Sequence, residues 1–354
     1  MKQKLPYYYK EFKCTSTKCT DNCCVGWEID IDDKSCVYYN DKSIFGDGFV
    51  EKYINIDTND VKSFKMHNNR CVFLNNDNLC SLIINYGENS LCDICEMHPR
   101  FINVINENEE FGLGFACEEA ARLILNSIRN DEFIELECEL NEDVDIAYSN
   151  IYNFRNTILN CDENLWMPTI LELLDKSYGF EECMSDTIYT IDYRVDCLAS
   201  LTNDFSGLLD IKNSILEDFL ALEILDTRWE IFLNNNKNLE VDCSKFIETK
   251  YIMNIFNYFI YRYLILSYFD LQFVDRLKFA IVCTFVIIVL SRQICCENDR
   301  VFEEVLHRTC IMFSKDVEYN ESNIDLILDS IYFENKYDYD NIVLLVNYLG
   351  YIAL

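Results

Sequence analysis

After position 120, apolar residues recur at three- and four-residue spacing, the period of a helix with one buried face. The spacing predicts helices over 146–159, 169–176, 208–232, 251–269, 271–292, 302–313, 324–332 and 341–354. Short polar loops such as 234–238 join them, and no internal repeat or low-complexity linker interrupts the series. The first 120 residues follow a different pattern. Alternating apolar and polar residues predict short strands over 25–32 and 69–74. The Asn75-Asn76-Asp77-Asn78 turn would then send 79–84 back antiparallel, bringing Cys71 and Cys80 together. A second small hairpin is expected from 101–104 and 111–115, with a short extended or helical lead at 7–13 and mixed helix and loop at 41–66. Residues 118–125 have helix-forming composition with acids in the first turn, where they favour the positive end of the helix dipole. The expected fold is mainly α, with a small cysteine-rich α+β N-terminal module over 1–120, an acidic α-helical body over 121–354 and no Rossmann fold.

Charge narrows the partners. The formal net charge is −31, of which residues up to Ala120 carry −8 (12 basic, 20 acidic) and the body the remaining −23. Such a field repels phosphate backbones and anionic lipid surfaces and attracts basic partners, so neither nucleic acid nor membrane is expected as a partner. The same charge also serves ordinary solubility. The most apolar run, 279–290, is too short to span a bilayer and reads as a buried helix. With half the residues hydrophobic and only nine Gly and three Pro, the chain is expected to be ordered. The start has no signal-peptide pattern and the chain has 19 cysteines, which together predict a reducing, cytoplasmic setting.

Ten of those cysteines lie in the first 120 residues, so the enrichment is local. Cys14, Cys19, Cys23 and Cys24 come first, then Cys71 and Cys80, then the C-x2-C of Cys92 and Cys95, and finally Cys117. Close-set thiols place several soft, negatively charged ligands around one centre, which points to zinc or an iron–sulfur cluster. The competing readings are buried free cysteines and redox disulfides. A thiolate at Cys117 would gain from the helix that follows it. Cys36 departs from the close clustering and reads as packing, as do the nine cysteines after residue 120, including the Cys295-Cys296 pair. Arg100, next to Pro99, is a candidate for binding a carboxylate or neutralising a cluster. His98 is a ligand or base candidate whose commoner role would be structural, and Trp27 reads as core. No G-x-G-x-x-G opens a βαβ unit, and no P-loop, H-E-x-x-H or C-x3-C-x2-C is present. No residue stands out as a catalytic base.

The segments FKCTSTKCTDNCCVGWEIDID, CVFLNNDNLCSLIINYGENSLCDICEMHPRF and FACEEAARLIL resemble the flagellin lysine N-methylase family. The first two are also similar to the zinc- or iron-chelating proteins named for a CxxCxxCC pattern. KYIMNIFNYFIYRYL and FSKDVEYNESNIDLIL add weaker likeness in the helical part. The sequence departs from the family pattern at Glu118, where proline is expected, and at Cys36, where threonine is expected. The resemblance implies a [4Fe-4S] cluster and methyl transfer from S-adenosylmethionine to surface lysines of flagellin. Its candidate ligands are Cys14, Cys19, Cys23, Cys24, Cys71, Cys80, Cys92, Cys95 and Cys117, more than the four that one cubane needs. The alternative is a non-enzymatic metal-binding or redox-sensing protein with a structural zinc or iron–sulfur site.

Overall fold

Helices build the body because each predicted stripe finds a partner. A computed structural model describes residues 2–127, 133–136, 145–186, 204–241, 247–298 and 301–353. The helix Phe273–Asn298 is apolar nearly all round from Phe273 to Leu290, so it lies inside the bundle. Helices Trp166–Cys183, Thr249–Tyr263, Phe302–Phe313, Glu321–Phe333 and Tyr339–Ile352 pack against it. Helix starts are set by side-chain caps: Asp145, Asp226, Asn320 and Asp338 each accept from a backbone N–H of the first turn. Among the described residues no helix is long and apolar enough to cross a membrane. The fold is mainly α with small β parts, and no Rossmann-type sheet is evident among the described residues.

Two predicted helices are divided. The 208–232 stripe becomes Leu208–Ala221 and Thr227–Asn236, because Leu222 turns extended and Asp226 caps a new helix. The 251–269 stripe runs as Thr249–Tyr263, then the tight turn Leu264–Leu266 and the short helix Ser267–Asp270, closed by Leu271 at φ 62°.

A four-stranded sheet covers one side of the bundle in the order Arg100–Ile105, Asn108–Leu113, Lys2–Pro6, Phe133–Leu136. The first two form the expected hairpin. Lys2–Pro6 runs parallel to Asn108–Leu113 and antiparallel to Phe133–Leu136. The Lys4 ammonium, buried by this pairing, donates to Tyr152 Oη and Asn156 Oδ1. The 7–13 lead is a 3-10 turn at Tyr7–Glu11.

A second, smaller hydrophobic cluster lies between Ile29 and Cys92, built on Tyr39, Phe45, Phe49, Phe64 and Phe73 in edge, tilted and stacked ring contacts. The strands at 2–6 and 100–113 and the helix Glu118–Leu125 pack with the bundle. Three local expectations change here, the first being that the strand expected over 69–74 is reduced to Arg70–Cys71. The stretch 25–32 is not a continuous strand: it makes single bridges, Val25 to Arg70 and Asp30 to Ser63, because its neighbour changes from one hairpin to another. The return strand at 79–84 shrinks to one Leu74–Cys80 bridge, after which Ser81–Tyr86 is helical. In that helix only Leu82 needs burial, whereas Ile83 and Ile84 are exposed, so the alternation of a half-buried strand is not imposed.

Candidate metal centre

Four chain segments bring their sulfurs into one region. Asn22 organises the first: its carboxamide accepts from Cys24 N at 2.8 Å and its carbonyl from Val25 N at 3.2 Å. Gly26 follows at φ +95°, a conformation that favours glycine, and donates to Asn69 O at 2.9 Å. The Cys24 carbonyl accepts from Cys71 N at 2.9 Å, which fixes the Cys23-Cys24 turn on the hairpin that carries Cys71. Cys80 arrives through its bridge to Leu74. Cys92, fully buried, directs its thiol toward Asp30 O at 3.7 Å and begins the helix Asp93–Met97, which carries Cys95. Asp32 holds that helix start by accepting from Asp93 N at 2.9 Å.

The thiols perturb one another. Cys23 is lowered to about 7 by the thiol of Cys24, with further help from the Lys315 ammonium. Cys24 is pushed far up by that shared hydrogen bond, by burial and by the fields of Cys23, Cys71 and Cys80. Cys92 and Cys95 form the same kind of couple, with Cys92 lowered and Cys95 raised. Burial raises Cys71 to about 11 and raises Cys80, and Cys23 and Cys92 add to both. Cys23, Cys24, Cys71, Cys80, Cys92 and Cys95 therefore lie within each other's electrostatic reach.

Cys14, Cys19 and Cys117 form an adjacent set. The Glu118 carboxylate accepts from Thr20 N at 2.6 Å and Asp21 N at 3.3 Å, tying the 14–23 loop to the start of Glu118–Leu125. Cys117 lies within the fields of Cys23 and Cys14, and Cys19 within that of Cys117. The helix start favours the Cys117 anion through the N–H groups of Ala120 and Glu119, as expected, but burial is the larger effect and pushes the thiol up to about 11. Cys19 is pushed up to about 12 by burial.

None of the described cysteines is disulfide-bonded. As the side chains stand, among the described residues no three or more His, Cys, Asp or Glu groups are arranged to hold a metal ion. The donor chemistry nevertheless suits a soft centre: the thiols are free of disulfides and drawn from separated segments. Cys36 is buried among Ile29, Tyr39 and the other apolar groups of the small cluster. Cys283, Cys295 and Cys310 are buried in the body, while Cys138, Cys197, Cys243 and the Cys296 side chain lie outside the described residues. The guanidinium of Arg100 lies over the rings of Phe12 and Tyr9, 5.1 and 5.9 Å from their centroids.

His98, the ligand or base candidate, and Trp27, expected in the core but only half-buried, complete the surroundings with residues the sequence did not single out. Trp27 donates from its indole to Cys23 O at 2.7 Å. Its ring meets Tyr319 at 5.3 Å and His98 at 6.2 Å, and His98 meets Tyr319 at 6.0 Å. Tyr319 Oη lies 2.9 Å from His98 Nδ1, while His98 Nε2 is buried without a partner. Burial lowers His98 to about 4, so its imidazole is neutral at physiological pH. Tyr319 follows a π turn, Ser314–Glu318, a widening often found at functional sites. That turn also supplies Lys315, which pairs with Asp21 at 2.7 Å, and Glu318, which accepts from Tyr258, Tyr263 and Arg262 at 2.7, 2.8 and 3.0 Å. For Lys315, Glu318 and Tyr319 the sequence signal was the weak likeness of FSKDVEYNESNIDLIL, whereas Trp27 and His98 lie within the cysteine-rich segments.

No protein-family model matches the sequence. No solved structure matches it. Three curated proteins are similar over 128 residues, 34% of this chain. A flagellar biosynthetic protein FliU of Salmonella muenchen is 27% identical, with 75% of its length covered. A lysine-N-methylase of Salmonella typhimurium strain LT2 is 27% identical, and one of Salmonella choleraesuis strain SC-B67 is 28% identical. The alignment spans 32% of each of those two enzymes.

Proposed function

We propose that this chain is a protein-lysine N-methyltransferase that uses S-adenosylmethionine, depends on a [4Fe-4S] cluster and acts on surface lysines of flagellin. The observation that supports the reading is that Cys23, Cys24, Cys71, Cys80, Cys92 and Cys95 lie within each other's fields in a chain similar to two lysine-N-methylases. The flagellar name of a third relative supports flagellin as substrate. These six thiols are the pool from which four cluster ligands would come, with Cys14, Cys19 and Cys117 beside them. A cluster held by four of these thiolates would supply soft, Lewis-acidic iron, and zinc is the alternative metal. In the transfer itself, the neutral lysine amine forms the new N–C bond. The C–S bond of the sulfonium breaks with its electron pair left on sulfur, and the surplus ammonium proton passes to a base. An acidic body suits a lysine-bearing partner.

The test is anaerobic purification followed by iron, zinc and sulfide analysis. Purified flagellin is then incubated with the protein and S-adenosylmethionine, and its lysines are read by mass spectrometry. Iron with acid-labile sulfide and cofactor-dependent lysine methylation is the expected result. A metal-loaded protein that neither binds the cofactor nor methylates flagellin would leave the metal-binding or redox-sensing alternative in its place.

A further inference from the structure

Resting on that reading, we infer that the Trp27, His98 and Tyr319 side chains form the seat for the cationic sulfonium of the methyl donor. The three rings come from separate parts of the chain. Trp27 belongs to the Cys23-Cys24 turn, His98 closes the helix that carries Cys95, and Tyr319 follows the π turn of the body. Their centroids lie 5.3, 6.0 and 6.2 Å apart. All three residues are half-buried, with His98 Nε2 itself enclosed. Aromatic faces attract weakly hydrated cations through the ring quadrupole. A sulfonium is such a cation, whereas the thioether left after transfer is neutral, so the seat favours the donor over the spent product.

Two further observations place a ligand here. His98 Nε2 is buried without a hydrogen-bond partner, although its other nitrogen is held by Tyr319 Oη at 2.9 Å. When Tyr319 donates to Nδ1, the ring proton sits on Nε2 and offers an N–H for a carboxylate or hydroxyl of the bound molecule. The seat also adjoins the sulfurs: Trp27 is bonded to the Cys23 carbonyl, and Tyr319 lies within the fields of the Cys23 and Cys117 thiols. Behind it, Glu318 bonds Tyr258, Tyr263 and Arg262, holding the π turn against the bundle. Trp27, His98 and Tyr319 are positioning residues for the donor.

The test compares the affinity of the full-length, anaerobically purified protein for S-adenosylmethionine with that for S-adenosylhomocysteine, by equilibrium dialysis. Trp166 and Trp229 are only 2% and 0% exposed, so a change in tryptophan emission on donor binding should come from Trp27 and vanish in Trp27→Phe. Wild type should prefer the charged donor by roughly 5- to 30-fold, the range of a partly desolvated cation–ring contact. Trp27→Leu and Tyr319→Leu should each weaken the donor by about fivefold or more and leave the neutral product within about twofold. Trp27→Phe, which keeps a ring, should retain most of the preference, and circular dichroism checks that each variant is folded. Equal loss of both ligands, or a preference indifferent to both leucine variants, overturns the seat while the methyltransferase reading stands. Failure of the wild-type protein to bind S-adenosylmethionine at all overturns both.

Discussion

The pair that fixes the sheet to the bundle makes a demanding test of the architecture. Arg155, on Ile146–Leu159, meets Glu110, on Asn108–Leu113, through two hydrogen bonds of 2.6 and 2.5 Å. The side chains are 0% and 2% exposed, and Arg155 Nη1 also reaches Tyr261 O at 3.3 Å. Replacing Arg155 by Met keeps most of the volume and strands the Glu110 carboxylate in the interior. Removing one partner of such a pair costs about 3–5 kcal/mol, because the remaining charge loses its compensation without regaining water. Removing both is different. In Arg155→Met with Glu110→Leu no charge remains buried, and the double variant should return to within about 2 kcal/mol of wild type. Urea unfolding followed by circular dichroism supplies the measurement. With a slope of about 3 kcal/mol per molar urea, the single substitution lowers the midpoint by about 1–1.7 M. If the double variant is as unstable as the sum of the two singles to within about 0.5 kcal/mol, the two side chains are not coupled and the argument fails.

Two shifted groups give further tests. In metal-free protein at pH 7, a maleimide should label Cys23, near 7, before Cys19, Cys71 and Cys117, raised to about 12, 11 and 11; Lys315→Gln should slow that labelling. Peptide mass spectrometry reads the order, and prior labelling of Cys71 or Cys117 would refute it. Asp316, 1% exposed, is raised to about 6 by burial although its carboxylate accepts from Leu225 N and Asp226 N. Between about pH 4 and 6 the folded protein then keeps a proton that the unfolded chain has lost, so this group's contribution to stability falls as pH rises, by about 2–3 kcal/mol across the window. Asp316→Asn should therefore gain on wild type between pH 4 and pH 7 in urea midpoints, and a pH-independent difference would show that the carboxyl is not held protonated.

What the sequence reveals depends on how local the cause is. The helices at 146–159 and 302–313 have the expected limits because their stripes are set within the segment, the first with an Asp145 cap. The 208–232 stripe hides its break because Leu222 and Ile224 keep the apolar spacing while Asp226 restarts the helix. Lys2–Pro6 gives no strand signal: Lys-Gln-Lys-Leu-Pro lacks the usual β-formers, and its pairing comes from strands about position 110 and 134. The thiols are legible because cysteine is chemically specific and closely spaced. Tyr319 and Glu318 are not, being single residues in a chain with 23 tyrosines and 61 acidic groups. This asymmetry has a physical origin. Ligands to a soft metal come from few residue types, cysteine foremost, whereas a cation seat needs only ring faces at the right distances, and those are assembled by the tertiary fold. In this protein the fold sets Trp27 and His98 against Tyr319 through the Asp21–Lys315 pair and the Glu118 contacts to Thr20 and Asp21. Weakening those contacts should therefore loosen the proposed seat before it disturbs the Cys92–Cys95 couple, which the Asp32 cap holds within the smaller cluster.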